Sequence, residues 1–212
     1  MKGVYLPGDK EAKLKEWPEP EVGKKEVLIE IKSSAICRSD MSIYYGTPLV
    51  GAKKPGEVIP GHEPAGLVKE IGEDVEYIKE GDRVAVTCFV GCGYCRYCRG
   101  GEPNLCKDVK ILGFDRHGGD AEYLSTPENT CLKLPNEMSY VSGSVSTDAV
   151  GNLYNTMKEL GVMSGSSLGI IGLGPMGLSG VINGVAMGAE VFAFDLEENR
   201  LIKAEELGAH HC

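Results

Sequence analysis

The stretch SSLGIIGLGPMG at residues 166–177 decides the fold of the second part of the chain. A short apolar run at 166–172 ends in the glycine pattern G-x-G-x-x-G, and a helical pattern follows. This order is typical of a strand–turn–helix that binds a dinucleotide, because the glycines let backbone N–H groups and the helix N-terminus approach a pyrophosphate. The residues that we predict to bind the coenzyme are Gly172, Gly174, Pro175, Met176 and Gly177.

The residues after this turn extend the same pattern. A second apolar strand is predicted at 190–195 and a helix at 197–207, ended by Gly208, and both strands are expected to be fully buried. Asp195 lies 23 residues after Gly172, close to the ~20-residue offset at which an acid meets the ribose hydroxyls. Its carboxylate would repel a 2′-phosphate, which favours NAD over NADP. The alternative is a glycine-rich turn that packs a helix on a sheet without a ligand. The apolar face of the first helix is predicted to be Leu178, Val181, Ile182, Val185 and Ala186.

The part of the chain before residue 135 is rich in short strand patterns. Val27, Ile29 and Ile31 alternate with polar or exposed positions, and further apolar runs follow at 66–71, 83–86 and 121–125. Such strands predict a small barrel or sandwich. A helix is predicted at 142–160, ahead of the parallel strands. Because two parallel strands make a poor sheet, we expect the chain to be the front portion of a longer protein.

Four cysteines form the strongest metal-binding pattern, C-x2-C-x2-C-x7-C, at Cys92, Cys95, Cys98 and Cys106. Four thiolates suit tetrahedral Zn²⁺ with no open position, so the pattern predicts a structural zinc site. Arg96, Arg99 and Lys107 lie in the same loop and would offset its negative charge. An iron–sulfur cluster, disulfides or unliganded thiols remain as alternatives.

A more dispersed set of possible ligands consists of Cys37, His62 and Glu63. Taken singly, a cysteine and a histidine in a β domain are more often a buried small residue and a hydrogen-bonded polar one. Gly61 and Gly66 flank the His–Glu pair and indicate a backbone held in a special conformation, which favours the metal-binding interpretation.

Composition excludes some functions. With 22 Lys and Arg against 31 Asp and Glu, the net charge of −9 disfavours nucleic-acid binding. Residues 161–189 carry no charge, and Gly180, Gly184 and Gly188 imitate a membrane dimerisation face, but Pro175 and the glycines leave no helix long enough to span a bilayer. The first 15 residues lack the apolar segment of a signal peptide, so we expect a reducing cytoplasm.

Taken together, these motifs identify a family resemblance. The pattern GHE-x2-G-x5-G-x2-V runs from Gly61 to Val75, with the Cys37 motif before it and the four cysteines and the dinucleotide turn after it. With these four motifs in this order, the chain resembles the zinc-containing medium-chain alcohol and polyol dehydrogenases. The resemblance implies a GroES-like β-barrel catalytic domain at 1–145, with a structural zinc lobe at 88–110. The first half of a Rossmann doubly wound parallel sheet would follow at 146–212.

The resemblance also implies roles for individual residues. Cys37 and His62 match two ligands of a catalytic zinc, and either Asp148 or Glu63 matches the third; for Asp148 a helix N-cap is the alternative. Asp40 matches an acid that orients the zinc-binding histidine, Arg38 a residue that holds the coenzyme pyrophosphate, and Ser39 a hydroxyl that passes the proton outward. Ser42 stands where many members have the histidine that completes this relay.

The function so implied is zinc-dependent hydride transfer from an alcohol, polyol or related secondary hydroxyl to NAD, with the alkoxide stabilised by zinc. Two zinc ions per chain and a homodimer or homotetramer are expected, and the 212-residue chain alone is expected to turn over alcohol poorly. The alternative is a non-catalytic zinc module that mediates subunit contacts. A third interpretation, a relative of the zinc-free quinone reductases, is disfavoured, because such proteins lack the ligands at Cys37 and His62 and the four cysteines.

Overall fold

A computed structural model describes residues 1–47 and 52–212 of the chain. The chain divides into two compact units, Met1–Val145 and Ser146–Cys212. The first unit is built mainly from antiparallel strands and the second from parallel strands and helices. The predicted fold class, a β domain followed by the beginning of an α/β domain, is confirmed.

The first unit is organised around a five-stranded antiparallel sheet. The strands of this unit are β1 Lys2–Tyr5, β2 Lys13–Glu16, β3 Glu26–Ala35, β4 Glu63–Ile71, β5 Arg83–Val86, β6 Phe89–Val90, β7 Lys110–Ile111, β8 Tyr123–Pro127 and β9 Cys131–Lys133. The five-stranded sheet has the spatial order β8-β3-β4-β5-β9, and β1–β2 and β6–β7 form two separate two-stranded ribbons. The predicted run at 121–125 is therefore displaced by two residues from β8. Ala121 forms only an isolated bridge to Gly3.

The long pair β3–β4 forms the centre of this sheet. Val27 and Ile29 on β3 are fully buried, as their alternation predicts, and they pack in the main core. Gly66 on β4 is required by the close approach of the two strands, since a Cβ there would lie 2.2 Å from the carbonyl oxygen of Glu30. This pairing brings Ala35, two residues before Cys37, opposite Glu63.

Short helices connect these strands. They are α1 Asp40–Tyr44, α2 Arg96–Arg99 and α3 Tyr140–Val145, with single 3₁₀ turns at Pro103–Leu105 and Glu128–Thr130. The first of them, α1, begins three residues after Cys37. It therefore carries Asp40 next to the segment that holds the candidate ligands.

The second unit begins with a π-helical turn at Ser146–Val150 and continues as helix α4, Gly151–Glu159. The elements that follow are β10 Ser167–Ile171, α5 Pro175–Ala186, β11 Glu190–Phe194 and α6 Glu198–Glu206. Strands β10 and β11 pair in parallel, and His211 adds a parallel bridge to Phe192 beside them. Strand, helix, strand and helix are thus observed in the predicted order.

The expectation that both parallel strands are fully buried is wrong. On β10 Ile170 is buried but Ile171 is 89% exposed, and on β11 Val191 and Ala193 are buried while Phe194 is exposed. Burial therefore alternates along each strand. The residues of one sheet face pack with α4, α5 and α6 in a single core, whereas the described residues leave Ile171 and Phe194 on the opposite face uncovered.

The buried face predicted for α5 is only partly correct. Val181 is fully buried, but Ile182 and Ala186 are exposed. Gly180 and Gly184 are buried in their place, because they let the helix approach the sheet: a Cβ at Gly184 would lie 2.7 Å from the Leu168 side chain. Gly180 and Gly184 thus serve helix–sheet packing, and among the described residues no helix is both long and apolar enough to cross a membrane.

Candidate functional site

A loop between β6 and β7 carries the four-cysteine group. One sulfur from each of Cys92, Cys95, Cys98 and Cys106 lies within 4.8 Å of the others. The Sγ atoms of Cys92 and Cys98 are 3.9 Å apart, and those of Cys95 and Cys98 are 3.6 Å apart. Four sulfurs around a Zn²⁺ ion at roughly 2.3 Å would be about 3.8 Å apart at the corners of a tetrahedron. The spacing of the sulfurs therefore fits tetrahedral zinc, and these cysteines are not joined by disulfides.

Backbone N–H groups point at these sulfurs. The N–H of Cys92 and that of Asp108 both donate to Sγ of Cys106, at 3.4 Å. The N–H of Cys98 donates to Sγ of Cys95, which is the N-cap residue of α2. The backbone N–H of Tyr94 lowers the pKa of the Cys92 thiol to about 7. These donors stabilise thiolates, the form of cysteine that binds zinc.

The second ligand group in the first unit consists of Cys37, His62 and Glu63. One ligand atom from each lies within 4.8 Å of the others. Cys37 follows the end of β3, whereas Glu63 begins β4 and is preceded by His62. His62 and Glu63 are each only 4% exposed. A thiolate, an imidazole and a carboxylate are the donor types found in catalytic zinc sites with an open position, so the donor set fits zinc.

Asp40 orients two members of this group at once. Its Oδ1 lies 3.0 Å from Nδ1 of His62, and its Oδ2 accepts the backbone N–H of Cys37 at 2.8 Å. An ionised carboxylate only accepts hydrogen bonds, so an ionised Asp40 selects the form of His62 that carries a proton on Nδ1. Such a carboxylate–histidine pair is the usual support of a metal-binding imidazole.

The residues around Nε2 of His62 complete this part of the site. Ser39 Oγ lies 3.4 Å from Nε2, and the ring of Phe114 packs against the imidazole with centroids 5.3 Å apart.

The hydroxyl of Ser42 is buried without a hydrogen-bond partner among the described residues. Arg38 is exposed.

Asp148 lies in the second unit, within the π-helical turn Ser146–Val150. The interpretation of Asp148 as a helix N-cap does not describe this position, because Val150 is the N-cap residue of α4. The carboxylate of Asp148 accepts a hydrogen bond from the side-chain amide of Asn152, one helical turn later.

The glycine-rich turn joins β10 to α5 in the second unit. Gly172 has a φ of +87°, which favours glycine, and a Cβ at Gly177 would lie 1.8 Å from the Gly172 carbonyl oxygen. Gly174 is the N-cap residue of α5, and Pro175 and Met176 form its first turn. The first and last glycines are therefore required by backbone geometry. The turn leaves the helix N-terminus open to an anionic group.

Asp195 follows β11 and reaches back to this turn. Its Oδ2 accepts the N–H of Leu173 at 2.6 Å, and its Oδ1 accepts the N–H of Glu197 at 3.0 Å. These backbone donors, with the guanidinium of Arg200 at 3.4 Å, hold the pKa of the Asp195 carboxyl below its usual value. A cavity of about 570 Å³ lies beside Asp195 and is lined by Ile171, Gly172, Phe194, Leu196, Glu197 and Arg200. Another cavity, of about 580 Å³, lies in the first unit.

Sequence reasoning missed two side chains near the ligands. One is Phe114, which packs on His62. The other is Asp120, whose Oδ1 accepts a 2.6 Å hydrogen bond from Ser34 although 86 residues separate the two. Burial raises the pKa of the Asp120 carboxyl. The only local signal is an acidic residue directly after the glycine pair 118–119.

Comparisons with known proteins agree with these observations. A model of the alcohol dehydrogenase GroES-like domain matches residues 23–136. The zinc-type alcohol dehydrogenase-like protein YphC of Escherichia coli K12 is 35% identical over 98% of this chain and 61% of its own length. The L-threonine 3-dehydrogenase of Bacillus velezensis is 37% identical over 93% of this chain and 57% of its own length.

A solved structure shows the same similarity in three dimensions. The alcohol dehydrogenase TADH from Thermus sp. ATN1 superposes with a TM-score of 0.90 at 28% identity, over 100% of this chain and 63% of the other. This chain therefore spans about three fifths of the length of these relatives.

Proposed function

This chain belongs to the zinc-containing medium-chain alcohol dehydrogenase family, and from that premise we propose that it is an oxidoreductase that transfers a hydride from an alcohol, polyol or related secondary hydroxyl to NAD. The observation that carries the proposal is the ligand group of Cys37, His62 and Glu63, in which His62 and Glu63 are buried and Asp40 contacts Nδ1 of the imidazole. A buried imidazole held in this way beside a thiol and a carboxylate is suited to binding a metal ion rather than to filling a core.

In this proposal Cys37, His62 and one carboxylate, Glu63 or Asp148, hold a catalytic zinc. Zinc supplies a positive charge that lowers the pKa of an alcohol hydroxyl at the open coordination position. Asp40 keeps His62 in its metal-binding tautomer and holds the Cys37 backbone in place. Phe114 covers one side of the imidazole and limits the access of water.

The hydroxyl of Ser39 is the first group that carries the proton away from the substrate. Its position 3.4 Å from Nε2 of His62 places it beside the atom expected to bind the metal. Ser42 lies one helical turn further along the chain but cannot act as a base in the way that a histidine can. In this chain we therefore assign the final acceptance of the proton to solvent or to the coenzyme ribose.

The second unit holds the coenzyme. NAD supplies the hydride acceptor when it is bound. Asp195 accepts the ribose hydroxyls, and Gly172, Gly174, Pro175, Met176 and Gly177 bring backbone N–H groups and the N-terminus of α5 to the pyrophosphate. Arg38 adds a positive charge for the same pyrophosphate.

The four cysteines at 92–106 hold a second, structural zinc, which leaves no open position for chemistry. Zinc bound by thiolates requires reduced cysteines, so we propose that the protein works in the cytoplasm. We also propose a homodimer or homotetramer as the assembly.

Metal analysis tests the function and identifies the third ligand. The purified protein is expected to hold about two zinc ions per chain, one in each group. Either Glu63→Gln or Asp148→Asn is expected to remove one ion, because losing a ligand leaves the metal with too few donors. Elemental analysis after exhaustive dialysis measures the ratio of zinc ions to protein chains. A ratio of one in the wild-type protein would reject the catalytic site and leave the non-catalytic zinc module. Two ions in both variants would reject a carboxylate ligand.

Coenzyme binding tests the role of Asp195. Asp195→Asn is expected to weaken NADH binding about tenfold. The change removes the negative charge and replaces one of the two carboxylate oxygens that accept the ribose hydroxyls by an NH₂ group. The same change should strengthen NADPH binding, since it removes a negative charge beside the 2′-phosphate. Fluorescence titration with each coenzyme measures both effects. Glu190→Gln is the control, because Glu190 lies at the other end of β11, pairs with His211 and does not line the cavity beside Asp195. Equal NADH affinity in Asp195→Asn and wild type would contradict the assignment.

A further inference from the structure

Residues 117–120 form a short segment outside the strands and helices that lies against the turn preceding His62. Three backbone hydrogen bonds join the two: Gly118 N–H to Ile59, Asp120 N–H to Pro60 and Gly119 N–H to Gly61, at 2.8–3.0 Å. The N–H of Ile59 also donates to Nδ1 of His117. This segment, which we call the clamp segment, therefore fixes the backbone that leads into His62.

The packing of the clamp segment on this turn leaves no free space. Gly61 has a φ of +91°, and a Cβ there would lie 2.2 Å from Oδ1 of Asp120. A Cβ at Gly118 would lie 2.0 Å from the Gly61 carbonyl oxygen, and one at Gly119 would lie 2.3 Å from the Pro64 ring. The clamp segment thus contacts the chain on both sides of the His62–Glu63 pair.

Asp120 joins this turn to the second ligand-bearing segment. Its Oδ1 accepts the 2.6 Å hydrogen bond from Ser34 on β3, three residues before Cys37. Its backbone carbonyl accepts the N–H of Val4 on β1, so the clamp segment is itself anchored to a third strand. One carboxylate is therefore connected to the segment of Cys37 and packed against the turn of His62.

We propose that Asp120 is a positioning residue for the catalytic metal, holding Cys37 and His62 at one separation through Ser34 and Gly61. This inference rests on the proposed function, because it needs a metal ion at Cys37 and His62. It differs from the role of Asp40, which touches His62 directly. Asp120 acts one step further out, through the backbone of both ligand segments.

Zinc competition with a chromogenic chelator tests the proposal on the full chain. Asp120→Ala and Ser34→Ala are each expected to weaken the second zinc ion about tenfold, the lower end of the loss seen when an outer support of a metal ligand is removed. Asp120→Asn should restore most of the affinity, because its Oδ1 still accepts the Ser34 hydroxyl. The double variant should be no weaker than Asp120→Ala, since both changes break the same hydrogen bond.

The matched control is Ser125→Ala. Ser125 also donates to a carboxylate across this sheet, Oε2 of Glu26 at 3.0 Å, at the opposite end of β3 from Cys37, and Glu26 keeps its ion pair with Arg116 when Ser125 is replaced. Its zinc affinity should equal that of the wild type. The affinity of the four-cysteine ion should be unchanged in every variant, which separates positioning from general loss of structure.

The outcomes distinguish the inference from the function on which it rests. Two ions in the wild type, with undiminished affinity in both Asp120→Ala and Ser34→Ala, would overturn the inference alone. If Asp120→Ala fails to fold, the milder Ser34→Ala still decides the matter. A wild-type chain that binds only the four-cysteine ion would overturn the proposed function and this inference together.

Discussion

His62→Ala is expected to lower the zinc content of the protein from about two ions per chain to about one. It is also expected to abolish any alcohol-dependent reduction of NAD. The imidazole is 4% exposed, its Nδ1 contacts Asp40, and among the described residues it is the one imidazole of this ligand group. A thiolate and a carboxylate alone hold zinc weakly in competition with water. Elemental analysis and an NADH absorbance assay measure the two effects.

The control for this variant is His211→Ala. His211 is exposed, pairs with Glu190 and belongs to neither ligand group of the described residues. Its removal should leave two ions in place. The variant His62→Ala leaves Asp40 without its imidazole partner, so thermal unfolding should be followed in parallel. A folded His62→Ala protein that retains both ions would show that the imidazole is not a ligand and would end the catalytic account.

The sequence predicted those features that depend on spacing along the chain. The four cysteines between 92 and 106 lie in one loop, and a two-residue gap brings neighbouring thiols to one side of a turn. The glycine turn after β10 is equally local, because the φ of Gly172 and the close approach at Gly177 are properties of six consecutive residues. Local features of this kind require no knowledge of how distant segments pack.

The family resemblance brought Cys37 and His62 together, but two other features that depend on distant contacts were not predicted. Asp120 and Ser34 are 86 residues apart in the chain, and only the pairing of β3 and β4 and the docking of residues 117–120 bring them together. The buried face of α5 was predicted only in part, since Val181, Leu178 and Val185 do pack in the core. Apolar periodicity selected Ile182, whereas the close approach to β10 is made through Gly180 and Gly184, which carry no side chain to signal burial.

Burial of the parallel strands was the other incorrect expectation. A strand of apolar residues such as Leu168, Ile170 and Ile171 looks the same in sequence whether one face or both are covered. In the described residues the helices of the second unit pack with one face, so Ile170 and Ile171 differ sharply in exposure. The identity of the residues does not determine which neighbouring elements are present to cover them.

In the proposed function, the loop that holds the four cysteines would be stabilised mainly by its zinc ion. Among residues 91–110 only Cys106 is buried, at 3% exposure, so this loop has almost no apolar core. In the proposed zinc site, bonds between the sulfurs and the ion would add to the backbone hydrogen bonds and supply the order that apolar packing does not, as in small zinc domains whose folding requires the metal. Cys106 closes the longest span of the group, the seven residues after Cys98.

Cys106→Ser is therefore expected to release the structural zinc and to unfold this loop while the five-stranded sheet persists. Trypsin should then cleave rapidly at Arg96, Arg99 and Lys107, which the ordered loop protects, at a rate at least tenfold above the wild type, since cleavage follows the open population. Treatment of the wild type with a strong zinc chelator should produce the same fragments. Mass spectrometry of timed digests locates the cuts.

Cys212→Ser is the matched control, because Cys212 is exposed and belongs to neither ligand group. It should hold both ions and resist trypsin as the wild type does. Readdition of zinc should restore protection to the chelated wild type but not to Cys106→Ser, since a hydroxyl is a poor zinc ligand at neutral pH. A Cys106→Ser protein that remains resistant in this loop would mean that backbone packing holds it, and the four sulfurs would then need another explanation.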